Sequence, residues 1–302
     1  MKIENNWKSY LPTAVLLLII IGLTSWSFLS GNAVKAGSPG ITLLGGILLL
    51  IVGLVAGMLG GIIGTGGCSV MLPVLSFWLG YPAPIAIGTT LFAVIFTALS
   101  GGYGHLVRGN LDKKAVLWLG GFGIIGVIIG SWLFDLLTAQ VALLGLVLGL
   151  AFLLPSARMI WEGIVHGKKL QQEGNIIPSS KPSKGVFGFI IGIATGVVGL
   201  GGGYALVPGL IYLFGAPVYI TMGTSLATMI PLAIVGGGIK LAQGFVAIGA
   251  GLLLGTGAII GAQFGAAMIK RFKPTTLKLI FGLYFLYVAL KFIFGYFGIA
   301  IW

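Results

Sequence analysis

The sequence predicts an all-α polytopic membrane protein. It comprises two inverted-topology repeats, each holding a Gly-rich broken helix, and an extra N-terminal transmembrane helix. Three observations predict this fold. Of 302 residues, 58% are hydrophobic and 7% charged, and the mean hydropathy is +1.13. A soluble domain with that balance would carry a largely apolar surface. Apolar stretches of about 20 residues, long enough to cross a bilayer core, recur along the chain. Finally, Gly64-Thr65-Gly66-Gly67 with Pro73 returns 135 positions later as Gly199-Leu200-Gly201-Gly202 with Pro208. The register holds through Pro82 and Pro217, Gly88-Thr89 and Gly223-Thr224, Gly101-Gly102 and Gly236-Gly237, to Gly130 and Gly265. A self-match of that length at one offset marks an internal duplication.

Composition also excludes function classes. The net charge of +12 is no nucleic-acid signal, because nearly all basic residues sit in loops, where they set topology and meet anionic headgroups. Cys68 is the only cysteine, which excludes an internal disulfide. It and the two histidines give no metal-ligand spacing. No cofactor is expected.

In order, Met1 to Tyr10 is short and polar, and Leu11 to Leu29 is apolar and long enough to cross. Ser30 to Ala33 resembles a signal-peptide cleavage region, but the apolar core is long for that, so a retained signal-anchor helix is expected. Residues 1–40 form this first unit, 41–160 the first repeat, 161–184 a linker and 185–302 the second repeat. Ile41 to Ile63 is followed by the glycine break and by Ser69 to Leu79, a piece too short to span alone. Pro82 and Pro84 open a helix to about Leu106; proline suits a first helical turn, where the N–H it lacks has no partner. Further helices are expected from Ala115 to Phe134, with Asp135 in a short turn, and from Thr138 to about Met159. Trp161 to Lys184, with Lys168, Lys169 and Glu173, is the one long hydrophilic stretch. The second repeat gives a broken element (Gly185 to Phe214), helices from Pro217 to Leu241 and Phe245 to Ile269, a basic turn Lys270–Lys273, and a last helix from Thr275 to Phe294.

The basic segments at the N-terminus, His105–Lys114, Arg158–Lys184 and Lys270–Lys278 are expected to be cytoplasmic, and the C-terminus outside. Tracing the chain then makes the first broken element start and end outside and the second inside, which inverts the halves. Such repeats with broken helices near the midplane are a transporter architecture. Whether each broken element re-enters or crosses twice stays open, with the second leaning toward re-entrant.

Exposed backbone polar groups cost several kcal/mol each in hydrocarbon, so a glycine break is tolerable only where protein or a wet cavity covers it. The N–H groups opening the following half-helix present a positive dipole end that binds anions without a charged side chain. Gly64, Gly66, Gly67, Cys68 and Ser69, with Gly199, Gly201, Gly202, Gly203 and Tyr204, are therefore candidate substrate-binding residues. Cys68 also reads as a small packing residue, and Gly53, Gly57 and Gly61 as a helix-crossing stripe. Thr89, Thr90, Thr224 and Ser225 can donate to an oxyanion or bond back to a helix carbonyl. His105 and Lys240 share one repeat position and are candidate cationic gates; the plainer readings are an interfacial histidine and a snorkelling lysine. No Asp or Glu falls mid-helix, so the usual proton-relay or Na⁺ carboxylate is missing.

With the paired Gly-x-Gly-Gly breaks, the prolines after them, and the Gly-Thr-Thr/Ser and Gly-Gly signatures, the chain from Gly53 to Phe294 resembles the TauE/SafE family of sulfite and organosulfonate exporters. The resemblance implies transport of sulfite or other small sulfur oxyanions and sulfonates. Cys68, where the motif usually has glycine, and the extra helix Leu11–Leu29 depart from the family pattern. The expected partners are a small anionic substrate and anionic lipids; a homo-oligomer stays open. Competing readings are a transporter of another small solute or of a cation or metal, and a membrane-embedded enzyme. The enzyme reading lacks a nucleophile–base pair, and a P-loop is excluded because no Gly-Lys-Ser/Thr follows the glycines.

Overall fold

The computed structural model describes residues 11–165, 174, 176–178, 180–268 and 274–299. Expectations for the N-terminal decapeptide, for Lys168, Lys169 and Glu173, and for the Lys270–Lys273 turn lie outside these residues. The described residues form helices α1 (Leu11–Leu29), α2 (Leu43–Ile63), α3 (Cys68–Pro73), α4 (Ala83–Val107), α5 (Lys113–Thr138), α6 (Val141–Val165), α7 (Lys181–Val198), α8 (Gly203–Phe214), α9 (Val218–Ala242), α10 (Ile248–Met268) and α11 (Pro274–Tyr296). A π-helical turn, Val74–Trp78, extends α3. Seven of the helices are long and apolar enough to cross a membrane. The duplication is visible in the boundaries, since α4 maps onto α9 without a residue of slippage. Asp135 lies in the last turns of α5 and not in a turn, because Leu136 and Leu137 continue the apolar pattern and nothing before Ala139 stops the helix.

Local chemistry sets the ends. Thr42 caps α2 by accepting from the Gly45 amide. Asp112 caps α5 through the amides of Lys114 and Ala115, 3.0 and 3.1 Å away, and also accepts from the Ile177 amide at 2.9 Å. Ser180 caps α7 ahead of Pro182. These bonds satisfy amides that a helix start leaves without partners.

Packing pairs each repeat with the other. Gly53, Gly57 and Gly61 of α2 lie in order against Leu254, Ala258 and Ala262 of α10, so closely that a methyl group would overlap their backbone. Gly188, Gly192 and Gly196 of α7 lie the same way against Leu119, Gly123 and Val127 of α5. These are the same contacts with the repeats exchanged. The order shows that α2 runs parallel to α10, and α7 to α5. By contrast, Gly101 meets Leu226 while Gly237 meets Phe92, so α4 and its counterpart α9 run antiparallel. Ser100 adds a hydroxyl bond to the Ile259 carbonyl at 2.7 Å, tying α4 to α10. α1 has no counterpart and packs on α10, with Ile20 buried beside Gly255.

Each broken element starts and ends at the same end of the bundle. A Cβ on Gly80 would sit 3.9 Å from Pro39, and one on Gly174 would sit 3.5 Å from Pro217. The long arm, α2 or α7, runs most of the way across; the chain turns at the glycines, and a short arm returns.

Candidate functional site

The turn at each break is built from three glycines with positive φ: Gly64, Gly66 and Gly67 at 84°, 71° and 74°, and Gly199, Gly201 and Gly202 at 71°, 64° and 81°. Other residues are strained in that region, glycine is not. Gly64 ends α2 and Gly199 ends α7, their amides donating to the Gly60 and Thr195 carbonyls, both at 2.8 Å.

The two breaks cross at the centre of the bundle. Gly66 and Gly201 both face the Met229 methyl and Val94, and Val94 and Met229 are themselves repeat counterparts on α4 and α9. Gly203 lies against the Thr65 backbone. The single S–H of Cys68, fully buried, is shared between the Thr65 carbonyl at 3.0 Å and the Leu200 carbonyl. Gly64 abuts Met222 at the start of α9, and Gly199 abuts Ile87 at the start of α4. Ser225 donates to the Gly64 carbonyl at 2.8 Å, satisfying a group that the helix end left open. The six glycines of the two breaks, with Gly203 and Cys68, thus belong to one buried crossing; Ser69 is buried in the first turn of α3 and Tyr204 in that of α8.

The flanking threonines act differently. Thr89 accepts the Ala247 amide at 2.9 Å, and Thr224 accepts the Asp112 amide at 3.0 Å. Both staple a loop of the opposite repeat to a central helix. Thr90, by contrast, is buried with its hydroxyl unpartnered, as are Thr221 and Thr228 on α9. The sequence reading missed those last two; a search for hydroxyls at helical spacing along Thr221-x-x-Thr224-Ser225-x-x-Thr228 would have found them.

A cavity of about 50 Å³ reaches the crossing, lined by Thr65, Tyr204, Tyr212, Met222 and Phe285 among others. That is room for a few waters or one small solute. Its lining is apolar apart from the hydroxyls of Thr65, Tyr204 and Tyr212. Arg158 of α6 lies over the Tyr212 ring at 4.5 Å. At the repeat-related place, Lys291 of α11 lies over the Phe77 ring at 4.9 Å. The sequence did not reveal these cation–aromatic pairs, because α6 and α11 are far in sequence from the arms they cover.

His105 and Lys240 lie at opposite ends of the bundle, and both are fully buried. His105 Nε2 is 2.9 Å from the Gly61 carbonyl, in the last turn of α2. Both side chains are enclosed by protein, so Lys240 does not reach outward to solvent. Neither borders the cavity.

Among the described residues no group of three or more His, Cys, Asp and Glu side chains could hold a metal. The crossed breaks, the apolar spans and the buried cavity define a polytopic membrane transporter. The family model for the sulfite exporter TauE/SafE matches residues 47–292, and the chain belongs to that family. It is 31% identical over 228 residues to the probable membrane transporter protein YdhB of Bacillus subtilis, covering 74% of this chain and 92% of that one. It is 27% identical over 252 residues to the probable membrane transporter protein YunE of the same organism, covering 78% and 92%. The probable membrane transporter protein MJ0441 of Methanocaldococcus jannaschii is 26% identical over 250 residues, covering 77% and 90%. No solved structure matches the chain.

Proposed function

We propose that the chain exports a small sulfur oxyanion, sulfite or an organosulfonate, through the crossing of the two glycine breaks. The observation that carries this is the crossing itself: left-handed glycines from both repeats meet at Met229, with the first turns of two half-helices opening from them. Backbone N–H groups there attract an anion, and the absence of a Cβ lets it approach. Cations have less to hold them. Asp112 and Asp135 lie at helix ends, where Asp112 is committed to capping. The same groups offer no nucleophile and base for an enzyme. The largely apolar cavity lining fits the carbon body of an organosulfonate better than bare sulfite.

The antiparallel run of α4 and α9 supports inversion of the repeats across the membrane. Arg108, Lys113, Lys114, Arg158, Lys181 and Lys184 gather at the end where α5 and α7 begin. That end is read as cytoplasmic, in contact with anionic lipids, which puts the N-terminus inside and the C-terminus outside. The cavity, beside α8 and the start of α9, then faces the cytoplasm. A negative interior drives an anion outward with about 2.3 kcal/mol per charge per 100 mV, so export needs no coupling ion. Passage is by a conducting path or by the two repeats exchanging conformations.

The test is efflux from proteoliposomes under an imposed potential, with sulfite, sulfate, thiosulfate, a small sulfonate and chloride in parallel. Potential-driven sulfite or sulfonate efflux above chloride supports the proposal. Flux no greater than from empty liposomes would refute it.

A further inference from the structure

The last turn of α9 carries a charge that the crossing does not explain. Lys240 is fully buried, and its Nζ has no hydrogen-bond partner. It lies 3.2 Å from the centroid of the Phe134 ring, which Phe245 meets edge-on with centroids 5.3 Å apart. The ring face stabilises a cation but takes no N–H bond in the sense an oxygen or halide does.

Two further unpartnered atoms belong to the same junction. Ser131 and Phe134 stand one turn apart on α5, and Lys240 and Gln243 one turn apart at the end of α9. The two faces meet, because Gln243 Nε2 donates to the Ser131 carbonyl at 3.3 Å while Lys240 covers Phe134. Ser131 Oγ and Gln243 Oε1 are buried and unpartnered, like Lys240 Nζ. Asp135, the acidic group next along α5, is exposed and acts on the ammonium through space without bonding it. Buried polar groups are nearly always partnered, and a buried charge needs a counter-charge. Three polar atoms at one junction, two of them donors, have no protein partner.

The repeat-related position sharpens this. His105 stands where Lys240 stands and is held by the Gly61 carbonyl. Gly196, the counterpart of Gly61, packs against Ser131, yet the Lys240 ammonium lies over Phe134 and has no hydrogen-bond partner.

We infer that Lys240, Ser131 and Gln243 form a second anion site, holding one small inorganic anion of halide or sulfite type at the end of the bundle opposite the cavity. The ammonium and the Ser131 hydroxyl donate to the anion, and a water carried with it donates to Gln243 Oε1. Because Ser131 abuts the last turn of α7, the occupant sits within a turn of the Gly199–Gly202 break. The inference rests on the anion-transport reading only in counting sulfite among the occupants; the binding is independent of flux.

The experiment is thermal unfolding of the purified full-length protein in detergent, titrated with sodium bromide, chloride or sulfite against gluconate at constant ionic strength. The expected result is a saturable rise in Tm with the small anions and none with gluconate. Lys240→Met should abolish the rise, Ser131→Ala should weaken the apparent affinity about fivefold or more, and Lys114→Gln, an exposed lysine outside both sites, should retain it. A rise with all three anions that Lys240→Met removes places halide and sulfite in one site; a rise with sulfite alone that Lys240→Met removes restricts the occupant to the oxyanion. Bromide anomalous scattering from crystals of the protein, expected beside Lys240 Nζ, gives a second readout should Lys240→Met fail to fold. No saturable rise in the unsubstituted protein, or a bromide or chloride rise that survives Lys240→Met, would overturn the inference. Failure of flux with the rise intact would count against the transport reading and leave this site standing.

Discussion

The crossing makes a quantitative statement about three glycines that look alike in sequence. An alanine at Gly66 or Gly201 enters the left-handed region at about 1–2 kcal/mol. Its methyl would also lie 2.5 Å from the Met229 methyl, an overpacking of about 1–3 kcal/mol. The expected destabilisation is therefore about 2–5 kcal/mol. Most of the second part is removable, because the obstacle is the far end of a flexible side chain. In a Met229→Ala background, Gly66→Ala should fall to the conformational cost of about 1–2 kcal/mol, and Gly201→Ala should be rescued less, because Val94 Cγ1 would still lie 2.9 Å from its methyl. The coupling should then lie in the range of about 0.5–3 kcal/mol usual for residues in contact. Gly64→Ala is the control. Its methyl would meet the Met222 backbone, with Cα at 2.7 Å and the carbonyl oxygen at 2.8 Å, which no side-chain truncation relieves. The cycle is read from SDS-induced unfolding of the purified variants. If Met229→Ala rescues neither Gly66→Ala nor Gly201→Ala, or rescues Gly64→Ala equally, the crossing is not packed as described.

Other outcomes follow from the same geometry. Thr89→Ala and Thr224→Ala each strand one buried amide, of Ala247 and Asp112, and should destabilise by similar amounts, about 1–3 kcal/mol; SDS unfolding compares them, and serine at either position should restore stability. Arg158→Gln, removing the charge over Tyr212 of the cavity wall, should raise the substrate concentration for half-maximal efflux several-fold and reduce the salt sensitivity of loading; unchanged salt dependence in the flux assay would show that this charge plays no part in loading. Cys68, fully buried and bonded to two carbonyls, should resist maleimide in the folded protein and label fully in SDS; rapid labelling in detergent micelles would show that the crossing opens far more readily than its packing implies.

The spans and the duplication were legible because both are one-dimensional signals: apolar length, and glycine and proline at a fixed offset. The break was legible for the same reason, since Gly64-x-Gly66-Gly67 and Gly199-x-Gly201-Gly202 are conformational requirements written in residue type. What lay opposite them was not. Met229 and Val94 are apolar residues inside apolar helices, and only the antiparallel packing of α4 on α9 brings them to both breaks. Thr89 and Thr224 looked like donors to a ligand, yet each accepts an amide from the other repeat, a bond that depends on how the halves dock. Arg158 over Tyr212 and Lys291 over Phe77 needed the path of the short arms. A lone carboxylate among leucines resembles a helix end, so the sequence alone puts Asp135 in a turn, whereas α5 carries it for another turn.

The most direct test of an anion path through the crossing uses Met229, whose methyl touches both breaks. In proteoliposomes under an imposed potential, Met229→Gln adds polarity at nearly constant size, and Met229→Glu adds a negative charge. Sulfonate or sulfite efflux should persist in Met229→Gln and be lost in Met229→Glu, with both variants purifying at the wild-type level. Undiminished efflux through Met229→Glu would contradict the account.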